Sequence, residues 1–218
     1  FEVPYLTNDD YFDVLIKECK ELDIQLIIPT IDTELLPLAQ HRKKLEANGI
    51  VPLVASEDFV TKCRDKRQIH KFFESYGVGI AKEYDKSNFE LPIFIKPIDG
   101  SRSVDTYLIQ DRSELTDYHL ENPKLMFLEY LDHDTYDEFT CDMYYSKDHK
   151  LKCIVPRKRI EVRDGEVYKA LAVFNELVPY LKDKLSTVEG AVGCLTAQFF
   201  LNSDNNDIRA IEINPRFG

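Results

Sequence analysis

The chain has 218 residues, of which 44% are hydrophobic and 31% are charged, and its formal net charge is -11. A chain of this length buries enough apolar surface to fold without disulfides or structural metals. Its composition excludes a disordered chain, and no apolar run approaches the ~18 residues that span a bilayer. The acidic balance argues against a nucleic-acid partner, because binding a phosphate backbone needs a clustered basic face. We therefore expect neither a membrane nor a nucleic acid as partner.

The cysteines are odd in number, widely spaced and without a Cys-x-x-Cys pair, which argues against a disulfide framework or a zinc site. They are Cys19, Cys63, Cys141, Cys153 and Cys194. Free thiols of this kind are typical of the reducing cytoplasm. The simplest interpretation of each is a small buried hydrophobe, especially for Cys141 and Cys153, which lie in strand-like stretches.

The first 58 residues alternate between helical and strand patterns. Apolar spacing predicts a helix over 11–22 and a second one over 31–49, which ends at Asn48 and Gly49. Continuous apolar runs over 24–30 and 50–56 predict buried strands. This alternation is typical of a parallel α/β sheet, but two strands are too few to complete one. We therefore interpret 1–58 as the second half of such a domain.

A new unit begins near Asp65, which stands in the first turn of a predicted helix that stops at Gly77. Asp111 is a plausible N-cap for a later helix over 111–122. The remaining elements alternate with polar turns. Strands are predicted over 91–97, 104–110, 125–130, 138–145, 151–156, 194–201 and 207–214, and a helix over 174–188.

The last two strands form a predicted hairpin around the Asn- and Asp-rich loop 202–206. Side chains two residues apart share a strand face, so Glu212 and Asn214 point the same way and Gln198 can lie opposite them. One carboxylate and two amide oxygens suit Mg²⁺ or Mn²⁺. The alternative, if the hairpin is taken alone, is a polar strand face exposed to solvent.

The ending IEINPRFG after a Gln-bearing strand resembles the metal-binding signature of the ATP-grasp superfamily, particularly its carbamoyl-phosphate-synthase-like branch. The resemblance implies that Glu212, Asn214 and Gln198 hold the metal ions beside the triphosphate of ATP. It also implies that Arg216 stabilises the transferred phosphate.

The stretch EYLDHDTYDEFTCDMYYS resembles the hinge and following strand of the same superfamily. The resemblance implies that the main chain of Glu129, Tyr130 and Leu131 meets adenine and that Glu138 accepts hydrogen bonds from the ribose hydroxyls. A carboxylate suits a vicinal diol, because its two oxygens accept two O–H donors. The alternative for Glu138 is an exposed strand acid.

Upstream, LPIFIKPIDGSRSVDTYL resembles the strand, phosphate loop and strand of that fold. Lys96 stands at a strand end between apolar neighbours, and its expected partner is the α/β-phosphate region. Lys66 matches a basic position that reaches the nucleotide, although a solvated helix lysine is the alternative. The loop groups that could cover the phosphates are Gly100, Ser101, Arg102 and Ser103.

The segment VPRKRIEVRDGEV concentrates positive charge within an acidic chain. If it is extended, Arg157 and Arg159 share a face. We hypothesise that one arginine meets the γ-phosphate or an acyl phosphate and that the other meets an anionic group of the acceptor. The alternative is a solvated edge strand whose charges discourage aggregation.

The five histidines show neither metal-ligand nor triad spacing, and no G-x-S-x-G motif is present. Nucleophilic side-chain catalysis is therefore not expected. This agrees with the ATP-grasp mechanism, in which a substrate carboxylate attacks the γ-phosphate while the protein supplies positioning and charge stabilisation.

The resemblance implies an α/β fold: a partial parallel-sheet domain over 1–58, followed by ATP-grasp subdomains with mostly antiparallel sheets over 59–128 and 129–218. It implies a ligase that uses ATP and Mg²⁺ or Mn²⁺ to join a small carboxylate to an amine or thiol through an acyl phosphate. Alternatives are carbamoyl-phosphate-synthase-type phosphorylation, a nucleotide-binding regulatory module, and an unrelated α/β protein. A homodimer is left open. We also expect that both ends of the chain are incomplete, since it begins without Met and stops within a motif.

Overall fold

The computed structural model describes residues 2–100, 104–163 and 166–217. The helices are α1 (Tyr11–Glu21), α2 (Asp32–Gln40), α3 (Arg42–Glu46), α4 (Glu57–Cys63), α5 (Lys66–Ser75), α6 (Asp117–Glu121) and α7 (Leu177–Lys184), with a 3-10 helix at Arg112–Glu114. The strands are β1 (Leu26–Ile27), β2 (Val51–Pro52), β3 (Glu83–Tyr84), β4 (Ile93–Pro97), β5 (Tyr107–Ile109), β6 (Leu125–Glu129), β7 (Asp137–Tyr145), β8 (Leu151–Arg163), β9 (Glu166–Ala172), β10 (Gly193–Asn202) and β11 (Asp207–Asn214). Within these ranges no helix combines the length and the apolar character needed to cross a membrane.

The strands form three sheets. β1 and β2 make a two-stranded parallel sheet. A four-stranded sheet has the order β3-β6-β4-β5, and a five-stranded sheet has the order β11-β10-β7-β8-β9, both with antiparallel neighbours. This arrangement confirms the predicted fold class, with a small parallel sheet followed by antiparallel ones.

The parallel sheet is much shorter than the predicted strands over 24–30 and 50–56. Only two positions pair, Leu26 with Val51 and Ile27 with Pro52. Pro52 has no backbone N–H with which to continue the ladder, which confines it to the end or edge of a strand.

The predicted helix over 31–49 is divided into α2 and α3 at His41. The His41 ring stacks on Phe12 of α1, with 3.8 Å between ring centroids, and its Nδ1 lies 3.0 Å from the Pro37 carbonyl oxygen. The predicted stop is confirmed, because Gly49 adopts a φ of 78° that residues with a side chain rarely take.

Helix α4 was not predicted, whereas α5 lies where the sequence placed it. Ser56 caps α4 by accepting a hydrogen bond from the Phe59 N–H. Asp65 is the N-cap of α5 rather than a residue of its first turn, and its carboxylate accepts from the N–H groups of Arg67 and Gln68. This cap places Lys66 at the first helical position.

The predicted helix over 111–122 is instead a 3-10 helix followed by α6. Leu115 adopts extended angles between them, with φ -74° and ψ 138°, which interrupts the helix. Asp111 is a cap as predicted: its side chain accepts from the Ser113 N–H, and Glu114 completes a capping box.

The hairpin of β8 and β9 differs most from expectation. β8 runs past the predicted 151–156 to Arg163, and its partner β9 was not predicted. Register shifts interrupt the pairing between Arg159 and Glu161 and between Glu161 and Val162. Such bulges break the period-two pattern from which a strand is recognised, and Tyr168 and Leu171 are exposed rather than buried.

Alternation along β7 and β10 separates an apolar from a polar sheet face. Phe139, Cys141 and Phe199 are buried in the main core, where Phe73 of α5 also packs. The intervening side chains, which include Glu138 and Gln198, therefore lie on the opposite face. We call this the polar face of the five-stranded sheet.

All five cysteines are free thiols, as predicted. Cys19 and Cys141 are buried, which agrees with their interpretation as small hydrophobes. The same expectation for Cys153 is wrong, because this side chain is exposed. Cys153 pairs with Tyr144, which alternates with the buried Met143 and Tyr145, so it lies on the uncovered face.

Candidate nucleotide-binding site

A cavity of about 410 Å³ lies between the four-stranded sheet and the polar face of the five-stranded sheet. We call it the central cavity. Many of the residues that the sequence singled out line it together. They are Lys66, Lys96, Gly100, Glu138, Arg159, Gln198 and Glu212.

Lys96 brings a buried positive charge to this cavity. On β4, Ile93 and Ile95 pack into an apolar cluster, so Phe94 and Lys96 point to the other side of the sheet. Lys96 is 6% exposed, and burial lowers the pKa of its ammonium group to about 8, an effect that the carboxylate of Glu212 partly opposes. No described carboxylate lies within ion-pair distance of Lys96, so an anionic ligand would relieve its desolvation.

Lys66 connects the phosphate-loop segment with the last strand. Its Nζ donates a hydrogen bond to the Gly100 carbonyl oxygen at 3.0 Å and lies 3.8 Å from Glu212 Oε2. Its backbone N–H donates to the Ile98 carbonyl oxygen. Lys66 thus faces the cavity, whereas Ser101, Arg102 and Ser103 lie outside the described residues and their phosphate contacts stay a prediction.

The predicted metal ligands occupy one end of the polar face. Gln198 of β10 and Glu212 of β11 are direct cross-strand partners, and the Asn214 Nδ2 group lies 3.3 Å from Glu212 Oε1. This contact leaves the carbonyl oxygen of Asn214 free to act as a ligand. Among the described residues there is no metal-binding cluster of three or more His, Cys, Asp and Glu side chains. One carboxylate and two amides instead fit a hard cation that also takes oxygens from a phosphate.

Glu138 and Arg159 form an ion pair in the wall of the central cavity, with 2.7 Å between Oε1 and Nη1. The Arg159 side chain is 6% exposed and that of Glu138 is 20% exposed. Burial raises the pKa of the Glu138 carboxyl group, although the Arg159 guanidinium acts in the opposite direction. The predicted ribose ligand therefore reaches the cavity with one carboxylate oxygen already engaged.

A smaller cavity of about 100 Å³ opens beside the central one and is lined by the predicted hinge, Glu129, Tyr130 and Leu131. The Glu129 carboxylate accepts a hydrogen bond from the Lys82 N–H at 2.9 Å. Both cavities share Lys96. The remaining lining of this hinge cavity is largely apolar and includes Ala81, Phe94, Leu128, His133, Phe200 and Ile211.

The structure does not bring Arg216 and Arg157 into the lining of the central cavity. Arg216 makes two parallel contacts with Asp32, from Nε and Nη2 at 2.9 and 3.0 Å. Arg157 makes two with Asp142, at 2.6 and 2.9 Å. Arg157 and Arg159 do share the polar face, as expected for extended residues two apart. Their catalytic roles stay predictions.

Sequence reasoning missed several residues near the site. Phe200 lies on the same face as Gln198, a position that the period of two could have revealed. His133 follows the hinge and lines both cavities. His70 lies one helical turn after Lys66 and is 4% exposed. Burial and the nearby Lys96 lower the pKa of His70 to about 4, which keeps the ring neutral.

Comparisons with known proteins agree with this geometry. Residues 1–54 match the family described as PylC-like, N-terminal domain. No curated protein shows significant sequence similarity to the chain.

Three solved structures share the fold. The N5-carboxyaminoimidazole synthetase from Staphylococcus aureus, complexed with ADP, superposes with a TM-score of 0.73 at 15% identity, over 100% of this chain and 59% of that one. The biotin carboxylase domain of Hydrogenobacter thermophilus 2-oxoglutarate carboxylase is a dimer in complex with MgADP, ADP and bicarbonate. It superposes with a TM-score of 0.69 at 14% identity, over 97% of this chain and 53% of that one. The L-amino acid ligase from Bacillus licheniformis superposes with a TM-score of 0.67 at 16% identity, over 99% of this chain and 55% of that one.

This chain therefore spans little more than half the length of these three structures. The likeness covers 97–100% of this chain, including both antiparallel sheets and the parallel one. The chain has the ATP-grasp fold.

Proposed function

We propose that the protein is an ATP-dependent ligase that phosphorylates a small carboxylate and transfers the resulting acyl group to an amine or thiol. One observation carries the proposal: a single cavity gathers Lys66, Lys96, the carboxylate of Glu138 proposed for ribose, and two of the three oxygen ligands proposed for Mg²⁺, Gln198 and Glu212. The ADP named for two of the structural neighbours supports the same assignment.

The positions of the side chains define their proposed roles. Lys96 and Lys66 bind the phosphates of ATP, and the backbone of the hinge residues with the apolar hinge cavity holds adenine. Glu138 accepts a ribose hydroxyl through the carboxylate oxygen that Arg159 leaves free. The Mg²⁺ ion, or Mn²⁺ in its place, would be held by Gln198, Glu212 and Asn214. The ion would neutralise the negative charge of the phosphates.

The proposed chemistry needs no side-chain nucleophile. A carboxylate oxygen of the substrate bonds to the γ-phosphorus, the bond from that phosphorus to the bridging oxygen breaks, and ADP leaves. The amine then attacks the acyl carbon, the bond to phosphate oxygen breaks, and the nitrogen loses a proton as phosphate departs. The chain's own cations, Lys66, Lys96 and Arg159, offset the negative charge of the transferred group.

The first experiment measures thermal stabilisation by ATP with and without Mg²⁺. We expect stabilisation that requires Mg²⁺ and is lost in Glu212→Ala, because a ligand that binds only the folded state raises its stability.

The second experiment measures ADP release in the presence of a panel of carboxylates with amine and thiol acceptors. Replacing Arg157 or Arg159 by alanine should sharply reduce release. Unchanged turnover in both variants would contradict their proposed roles.

A second candidate function is a nucleotide-binding regulatory module without ligase activity. The pairing of Arg216 with Asp32 and of Arg157 with Asp142 favours it, since each arginine already has an anionic partner. Mg²⁺-dependent ATP binding without ADP release for any member of the panel would support this candidate. Measurable substrate-dependent release would exclude it.

We further propose that the reactants are small molecules, that the protein acts in the cytoplasm, and that it is a homodimer. The five free cysteines support a reducing compartment. The dimer named for the Hydrogenobacter thermophilus domain supports the oligomeric state. Light scattering of the purified protein measures the mass directly.

A further inference from the structure

A second cavity, of about 240 Å³, adjoins the central cavity. We call it the side cavity. It is enclosed by α2, α4, the start of α5 and the end of β11, and it shares Lys66, Gly100 and Glu212 with the central cavity. The Lys66–Glu212 pair, 3.8 Å apart, therefore separates the two spaces. A molecule in the side cavity would lie next to any phosphate bound by Lys66.

The side cavity contains one cation that is not neutralised. Asp32 pairs with Arg216, Asp99 with Lys124, and Lys66 with Glu212. The guanidinium of Arg64, by contrast, makes no hydrogen bond or ion pair with any residue in the described part of the chain. Arg64 is the exposed C-cap residue of α4, and where it borders the side cavity its planar set of N–H donors is open to a ligand.

The rest of the lining restricts the kind of ligand. Leu35, Val60 and Ile213 make one part of the wall apolar, and Asn214 supplies an amide near the proposed metal end. The volume is below the range of about 300–1,000 Å³ that is typical of sites for drug-sized molecules. A short aliphatic chain with a terminal anion fits this combination of size, apolar wall and unpaired guanidinium.

We propose that the side cavity binds the second reactant of the enzyme, a small aliphatic acid whose carboxylate pairs with Arg64 and whose other end, which carries the reacting amine or a second carboxylate, lies toward Lys66 and Glu212. This inference rests on the proposed function for the identity of the reactive end. The binding of a small carboxylate beside Arg64 does not depend on it and is tested separately.

Cys63, which also lines the side cavity, allows that test without knowledge of the natural substrate. Iodoacetate and iodoacetamide are nearly equal in size and alkylate a thiolate by the same displacement of iodide, but only iodoacetate carries a carboxylate. Burial raises the pKa of the Cys63 thiol well above its ordinary value, so the labelling is done at alkaline pH. This effect slows both reagents equally and cancels in the ratio of their rates.

The experiment measures that ratio by mass spectrometry at Cys63 and at the exposed Cys153 in the same molecules. We expect the ratio of iodoacetate to iodoacetamide labelling to be about tenfold higher at Cys63, because Arg64 holds the carboxylate by charge-assisted hydrogen bonds. Arg64→Gln should abolish the difference. Lys62→Gln, which removes a neighbouring cation that does not line the cavity, should preserve it.

Three results would overturn the proposal: equal ratios at the two cysteines, an equal loss of preference in Lys62→Gln, or no labelling of Cys63 by either reagent. The last would mean that small molecules do not enter the side cavity. ATP-dependent thermal stabilisation in the same preparation reports on the central cavity alone. Failure of the proposed ligase function is thereby distinguished from failure of this carboxylate site.

Discussion

The carboxylate of Glu138 and the guanidinium of Arg159 lie 2.7 Å apart on adjacent strands, facing the central cavity. The Arg159 side chain is almost completely buried. Removing one partner of a buried ion pair leaves an uncompensated charge, whereas breaking an exposed pair costs little. This contrast leads to the first prediction.

Glu138→Ala should lower the free energy of unfolding by about 3 kcal/mol, since the buried Arg159 would lose its 2.7 Å contact with the Glu138 carboxylate. Urea denaturation measures the change. Glu161→Ala is the matched control: it breaks the exposed pair with Arg163 on the same strand and should cost less than about 1 kcal/mol. Equal losses in the two variants would show that the burial of Arg159 contributes nothing.

Lys96 should make stability depend on pH. Its folded-state pKa is about 8, against 10.5 for an exposed lysine. Between these values the unfolded chain binds more protons than the folded one, so the contribution of Lys96 to the free energy of unfolding rises with pH. Below pH 8 both states are charged, and the burial of that charge is a constant cost.

The measurement is chemical denaturation of the nucleotide-free protein between about pH 7 and 10. Other groups titrate in this range, so the free energy of unfolding of wild type is compared with that of Lys96→Met at each pH. The difference between these two free energies should shrink as pH rises. Lys124→Met, at an exposed lysine, should show no such trend. A difference that stays constant across the range would contradict the buried charge of Lys96.

Asp32 is predicted to position Arg216. The two side chains form a bidentate pair across 184 residues of sequence, between the start of α2 and the residues after β11. Asp32→Ala should therefore lower kcat for ATP turnover by about tenfold while leaving the affinity for ATP near its wild-type value. Asp32→Glu should recover part of the loss.

Asp13→Ala provides the control for this prediction. Asp13 pairs with Lys44 in the same N-terminal region, and this pair is more exposed than the pair of Asp32 with Arg216. It should leave kcat unchanged. A rise of kcat in Asp32→Ala would show instead that Asp32 withholds Arg216 from the reaction.

The sequence predicted those parts of the site that follow from strand periodicity. Gln198 and Glu212 lie opposite each other on paired strands as predicted, because a period of two decides which way each side chain points. The engagement of Arg216 by Asp32 could not be predicted, since it depends on how two regions far apart in sequence pack. Strand β9 escaped detection for a related reason, because bulges and an exposed edge remove the alternation that marks a strand.

Gly79 is predicted to be required for the position of β11. A Cβ atom at this residue would lie 2.5 Å from the Ile208 carbonyl oxygen, which is too close for any stable contact. Its own carbonyl oxygen accepts a hydrogen bond from the Ala210 N–H at 2.7 Å, and Ile80 forms a bridge with Ala210. The segment thus runs alongside β11 in parallel, two residues before Glu212.

Gly79→Ala should cost about 1–3 kcal/mol of stability, the range typical of overpacking, because backbone rather than a flexible side chain must move. It should also weaken ADP binding in the presence of Mg²⁺, as the displacement of β11 carries Glu212 away from Gln198. Calorimetric titration measures the affinity. Gly49→Ala isolates backbone strain, since Gly49 has a φ of 78° but no atoms within 4 Å of the added Cβ. Gly49→Ala should lower the free energy of unfolding by about 1–2 kcal/mol and leave the affinity for ADP unchanged. If Gly79→Ala bound ADP with wild-type affinity, β11 would tolerate the displacement.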